Sequence, residues 1–261
     1  MSNPLPEVTD ALVAQFRQAG YLVLSGAVTA SQCQQLRRAI SADLNPLVGP
    51  AEFEADVGYP GAPFGREADG GNTPRRLLHA YARNEELKEL ALHPVLGPWL
   101  RALLNHDSPM LSQCHHNCVM TKHPGYSSAT LWHQDIRYWS FDRPELISAW
   151  FALGPEDAAN GALRVIPGSH VEEIDRGRLD GALFLRPELA ANQPMIASAE
   201  VVNLNPGDLL LFHCRLFHAA GQNLSQTVKL SPVFTYHAQD NLPIPGTRSE
   251  RLPGIPLSEM Q

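Results

Sequence analysis

The residues with the clearest chemical potential lie in LWHQDIRYW, residues 131–139, where His133 and Asp135 stand two apart. In a strand, residues two apart leave the same face, so an imidazole and a carboxylate would project together. Such a pair supplies two thirds of the two-histidine, one-carboxylate facial triad, which leaves open positions on Fe(II). Alone it is weak, because 11 histidines and 27 acidic residues make chance pairs common, and a surface pair on an edge strand is the plain alternative. A third ligand must come from a distant strand. Residues 207–231, GDLLLFHCRLFHAAGQNLSQTVKLS, offer His213 and His218, and Lys229 follows eleven residues after His218. A cation at that place would meet the distal carboxylate of 2-oxoglutarate, whose keto and proximal carboxylate oxygens chelate the metal.

A second cluster, CHHNC at 114–118, resembles a zinc site. In a strand Cys114, His116 and Cys118 would share one face, but no second Cys/His pair at zinc spacing accompanies them. The opposite parity, Gln113, His115 and Asn117, is an equally available functional face.

These residues need elements to hold them. TDALVAQFRQA, residues 9–19, spaces Leu12, Val13, Phe16 and Ala19 as a helix capped by Thr9 or Asp10, and Gly20 ends it before the strand YLVLSG. A second helix is expected over 30–43 with Ser31 as cap, and a third over 84–104. Residues 50–74 are rich in Gly, Pro and acids without periodicity and read as a long surface loop, a candidate lid. From about residue 110 short strands are expected at 110–121, 129–138, 146–153, 162–166, 199–203, 208–213, 215–219 and 226–237. Asn160-Gly161 predicts a two-residue hairpin, and Pro167-Gly168 and Pro206-Gly207 predict turns. The expected architecture is mainly β with flanking helices around a double-stranded β-helix, that is, a cupin-like jelly roll. One domain over 1–261 would comprise a helical part to about 108, a core at about 109–238 and a Pro-rich C-terminal tail on the surface.

Composition narrows the function. With 44% hydrophobic and 18% charged residues the chain is globular, and a net charge of -7 argues against nucleic acid as a partner. Four cysteines in 261 residues do not suggest a disulfide framework. Neither a signal peptide nor an apolar run near membrane-spanning length is visible, so a cytoplasmic protein with a small-molecule substrate and no membrane partner is expected. Its oligomeric state is not readable.

Together these features resemble the phytanoyl-CoA dioxygenase family of Fe(II)- and 2-oxoglutarate-dependent oxygenases. The likeness runs from the opening helix and GYLVLSGAVT to about residue 238, and is most specific in WHQD at 132–135, NGALRVIPGSH at 160–170 and FHCRLFHAAGQN at 212–223. It implies that His218, before the small-small-Gly stretch, rather than His213, completes the triad with His133 and Asp135. It places Lys229, Trp150, Cys118 and Ser231 around 2-oxoglutarate, and brings a basic residue at Arg75 or Arg76 toward the site. The chain departs from the family in carrying Lys229 where Arg is usual, and Ala220 where many relatives have Ser. Lys offers a point charge instead of a bidentate fork. The resemblance implies hydroxylation of an unactivated C–H bond with O2 as co-substrate and release of succinate and CO2. Asp135 fills the position that halogenating relatives leave open for chloride. Desaturation, ring closure and epimerisation stay open. Two other readings remain: a cupin-type metalloenzyme that does not use 2-oxoglutarate, and a non-catalytic barrel that binds a small ligand.

Overall fold

The computed structural model describes residues 7–257. It opens with helix α1 (Asp10–Ala19), whose first turn is closed by the Thr9 hydroxyl accepting from the Leu12 amide at 3.3 Å. Gly20 ends it at φ 82, a left-handed conformation that favours glycine. Strand β1 (Tyr21–Leu24) and helix α2 (Ala30–Leu44) follow. The cap of α2 is Thr29 rather than Ser31: Thr29 and Gln32 form a reciprocal capping box, which satisfies two free amides where Ser31 would satisfy one.

The expected loop at 50–74 contains β2 (Ala51–Phe53), one turn of 3-10 helix and the start of β3 (Pro74–Leu78), with which β2 pairs. The helix expected over 84–104 is two helices, α3 (Glu85–Ala91) and α4 (Leu96–Leu104). Pro94 lacks an amide hydrogen and disfavours helical geometry at His93, so the chain breaks there.

The remaining strands are β4 (Pro109–Lys122), β5 (Thr130–His133), β6 (Leu146–Phe151), β7 (Leu163–Val165), β8 (Glu200–Val201), β9 (Leu209–His213), β10 (His218–Ala220), β11 (Lys229–Ala238) and β12 (Ile255–Pro256), with the short helix α5 (Gln193–Ala197) before β8. All pairings are antiparallel. The major sheet runs β1-β9-β6-β11-β4-β3-β2 with β12 added to β4, and the minor sheet runs β5-β10-β7-β8. This is the expected jelly roll with helices on one side. The end of the Pro-rich tail docks as β12, Ile255 opposite Leu111.

Asn160-Gly161 is not a hairpin. Asn160 closes a 3-10 turn capped by Asp157, and β6 and β7 on either side belong to different sheets. Gly161 is needed there: at φ 73, a side-chain carbon would sit 2.4 Å from the Gly221 carbonyl oxygen.

The major sheet is buried on both faces, so its strands are apolar throughout, yet alternation still sorts them. In β11, Leu230, Phe234 and Tyr236 face the helices and pack with Phe16, Leu36, Ile40 and Trp99. Val233, with Trp150 and Phe212, faces inward against Leu163, Val165 and Ala220 of the minor sheet. The helix-side cluster is the larger and is fully buried at Ile40, Leu87 and Phe234. Each such side chain contributes about 1.5–3 kcal/mol on burial. Stability therefore rests mainly on the helix side, and the inner face is left to hold polar groups.

Candidate active site

His133 ends β5 and His218 begins β10, directly opposite in the minor-sheet register. Their rings lie 4.3 Å apart between centroids. The strand expected over 129–138 stops at His133, and Asp135 opens a 3-10 turn (Asp135–Tyr138) anchored by the Ile136 amide on the Cys214 carbonyl at 3.0 Å. The acid thus reaches the histidines by a turn and not by strand parity. One ligand atom from each of His133, Asp135 and His218 lies within 4.8 Å of the others, and all three residues are buried. Both histidine Nε2 atoms are 3.6 Å from Asp135 Oδ1.

The donor set fits a divalent metal. His133 Nδ1 is 2.8 Å from the Leu131 carbonyl and His218 Nδ1 is 3.0 Å from the Leu216 carbonyl. A carbonyl can only accept, so each Nδ1 carries the proton and each Nε2 presents a lone pair to the same point. Asp135 Oδ2 is buried without a hydrogen-bond partner, which leaves the carboxylate with a lone pair suited to a cation. Burial and the neighbouring His133 push His218 down to about 4. Against its own burial, Asp135 is held well below the carboxylate range by His116 and His218.

His116 was not among the expected site residues. Its Nε2 lies 3.1 Å from Asp135 Oδ1. Burial opposes its charge, but Asp135 raises it to about 9. His116 and Cys118 share the cavity as strand parity expects, but parity fails for His115 and Cys114, because the β4–β11 ladder breaks: partners of Phe234 and Thr235 jump from Asn117 to Ser112, so residues 113–116 bulge out. Consecutive residues His115 and His116 therefore both reach the cavity, while Cys114 packs on the Leu252 backbone. CHHNC makes no zinc cluster, and all four cysteines are free. His213 is remote from the triad: its Nδ1 accepts from the Arg215 amide at 3.1 Å and its ring lies 5.3 Å from that of His170.

Two cavities flank the histidines. The inner one, about 40 Å³, has His133 and His218 on one wall and Arg75, Lys122, Thr130, Trp150 and Ala220 on others. The outer one, about 200 Å³, adds Asp135, Tyr59, Tyr138, Trp139, Cys118 and Arg248. Arg75 and Arg76 line both and share one carboxylate, Glu52, at 2.7 and 3.5 Å. The 50–74 segment covers the outer cavity through Tyr59, whose hydroxyl lies 3.3 Å from that of Tyr138.

Lys229, Ser231 and Trp150 converge, but on a residue of the chain itself. Lys229 Nζ is 2.7 Å from Glu156 Oε2, Ser231 Oγ donates to Glu156 Oε1 at 2.6 Å, and Trp150 Nε1 sits 3.1 and 3.2 Å from the two oxygens. Opposite Lys229 in the ladder, Lys122 donates to the Ser128 and Gly221 carbonyls at 2.9 and 2.6 Å. Burial, then the charges of Lys229 and Arg75, lower Lys122 to about 7. No sequence pattern marks Glu156, which sits in the aperiodic stretch GPEDAAN.

The sequence profile described as Phytanoyl-CoA dioxygenase (PhyH) matches residues 16–231. The chain belongs to the phytanoyl-CoA dioxygenase family. Among relatives, ectoine dioxygenase of Sphingopyxis alaskensis is 25% identical over 249 residues, spanning 87% of this chain and 75% of that protein. Dioxygenase cdmA of Talaromyces verruculosus is 26% identical over 247 residues, spanning 90% and 74%. Among solved structures, the fold is shared with EctD from S. alaskensis with 2-oxoglutarate and 5-hydroxyectoine (TM-score 0.72, 20% identity, 90% of this chain and 78% of that one). It is also shared with the α-ketoglutarate-dependent carbocyclase SnoK of nogalamycin biosynthesis (TM-score 0.72, 19% identity, 90% and 86%). Ectoine dioxygenase and the nogalamycin carbocyclase are named for chemically unrelated molecules, so these likenesses point to no one substrate.

Proposed function

We propose that the protein is an Fe(II)- and 2-oxoglutarate-dependent dioxygenase that hydroxylates an unactivated C–H bond of a small molecule, releasing succinate and CO2. The observation that carries this reading is the convergence of two Nε2 lone pairs on Asp135 Oδ1, each at 3.6 Å, in a buried carboxylate whose second oxygen has no partner. His133, Asp135 and His218 would hold the iron, which supplies the open positions at which the co-substrates are activated. Asp135 occupies one position with its own oxygen, which favours hydroxylation over halogenation. His116 fixes the orientation of that carboxylate through Oδ1.

The remaining residues bind and exclude. Trp150, Lys229 and Ser231 form a receptor for the far carboxylate of 2-oxoglutarate, with Cys118 on the wall of the outer cavity. Tyr59, Tyr138, Trp139 and Arg248 enclose the prime substrate, and the 50–74 segment acts as a lid that limits water. Among the described residues no helix is long and apolar enough to cross a membrane. Four buried, unpaired cysteines support a reducing compartment, the cytoplasm.

Succinate release by the anaerobically Fe(II)-loaded protein, given 2-oxoglutarate, O2 and a panel of metabolites, tests the reading. Asp135→Ala should reduce release to the background of free iron while preserving the circular-dichroism spectrum. Wild-type-level release from that variant would remove Asp135 from the metal site.

A further inference from the structure

We propose that Glu156 is a built-in carboxylate that holds the seat of the co-substrate's far carboxylate and leaves it when 2-oxoglutarate binds. The proposal rests on the reading of 2-oxoglutarate as co-substrate. One ammonium, one hydroxyl and one indole N–H, from the neighbouring strands β11 and β6, meet a single carboxylate at 2.6–3.2 Å. These are the donors a free carboxylate would need, one charged and two neutral. Trp150 connects the seat to the reaction centre, because it also lines the inner cavity that reaches His133 and His218.

Glu156 blocks the way. Neither it nor Lys229 lines the inner cavity, whose open space stops at Trp150. The remaining volume of about 40 Å³ holds on the order of one to three waters, far less than a five-carbon diacid. A ligand chelating at the histidines can therefore reach Lys229 only where Glu156 withdraws.

The two sides of this contact differ in rigidity. Lys229, Ser231 and Trp150 stand on long strands of the major sheet. Glu156 comes from a loop, its backbone pinned to Leu204 by two hydrogen bonds of 2.8 and 3.0 Å, and only its side chain crosses to the seat. Rotation about side-chain bonds can withdraw the carboxylate without disturbing a ladder. Lys122, opposite Lys229 in the ladder and already attracted by Glu156, is the cation toward which it can turn. Between ligands, Glu156 would keep Lys229 paired and oriented, so that the receptor is preformed but closed.

The test is calorimetric titration of 2-oxoglutarate and of pyruvate into Ni(II)-loaded protein, which cannot turn over. Pyruvate carries the same chelating head and lacks the far carboxylate. Glu156→Gln should bind 2-oxoglutarate about tenfold more tightly than wild type, the loss of one competing charge-assisted contact. Its affinity for pyruvate should not change. Unchanged or weaker 2-oxoglutarate binding would overturn the proposal, and so would an equal gain for both acids, which marks a general charge effect. In Glu156→Ala, millimolar acetate should raise the melting temperature by refilling the seat and do nothing to wild type. Acetate without effect on the variant counts against the seat. If wild type and variants alike bind no 2-oxoglutarate, it is the co-substrate reading that fails.

Discussion

Two buried carboxylates, Asp135 on the wall of the outer cavity and Glu156 behind Trp150, stand in opposite states of satisfaction. Asp135 has one oxygen engaged by His116 and one with no partner. Glu156 has both oxygens engaged by three donors. A buried acid left incomplete announces a ligand that the chain does not provide, whereas a completed one announces a ligand the chain has imitated. The difference teaches that burial and charge alone do not locate a binding site. What separates these two acids is unmet hydrogen-bonding capacity on a buried charged group beside two histidines.

Removing one partner from each carboxylate should separate the two states. Lys229→Ala should have the largest effect on the fold, about 3–5 kcal/mol of lost stability in urea unfolding, because it leaves Glu156 buried without its cation. The double variant Lys229→Met with Glu156→Leu should recover most of that loss, and a loss that persists would show that the pair does more than balance charge. His116→Phe should weaken metal binding about 10–100-fold in a chelator competition, and should also lower the melting temperature of the metal-free protein, because it leaves Asp135 buried without its cationic partner. Equal metal affinity would mean that Asp135 is oriented without His116.

The smallest expected effect lies outside both carboxylates. His213 is pushed down to about 4 by burial and by His170, from an ordinary 6.5. Between pH 6.5 and 4 the unfolded chain binds more protons than the folded one, so stability should fall as the pH drops through that window, by up to about 1 kcal/mol per pH unit. His213→Phe should flatten the profile of urea midpoints between pH 7 and 5. A profile as steep as that of wild type would assign the acid sensitivity to other groups.

Much of this arrangement was legible in the residues. Period-two alternation in KLSPVFTYHA placed Lys229 and Ser231 on one face; spacing paired His133 with Asp135, and the family resemblance chose His218 over His213 as the third ligand. The reasoning for Asp135 nevertheless rested on a strand that ends two residues earlier. The pairing happens in a 3-10 turn whose geometry depends on Cys214, 79 positions away by number and adjacent only in the fold. Parity put His116 on the face of Cys118, which lines the outer cavity; it carried no mark for the four-residue bulge that brings the consecutive His115 to the same cavity. Glu156 was hidden for a different reason: loop residues have no period, so nothing in GPEDAAN distinguishes the acid that turns inward from Asp157, which caps the next turn. Pro94 was visible and should have split the third helix, its ring and missing amide outweighing the leucine spacing around it.

The register that sets His133 against His218 also bears on the reach of a bound metal. Both imidazoles belong to the minor sheet, while the large apolar cluster packs the helices onto the far face of the major one. An ion bound at the histidines would staple β5 to β10 and touch none of that cluster. Burial of the large cluster therefore does not depend on a metal, and the ion's hold is confined to the smaller sheet.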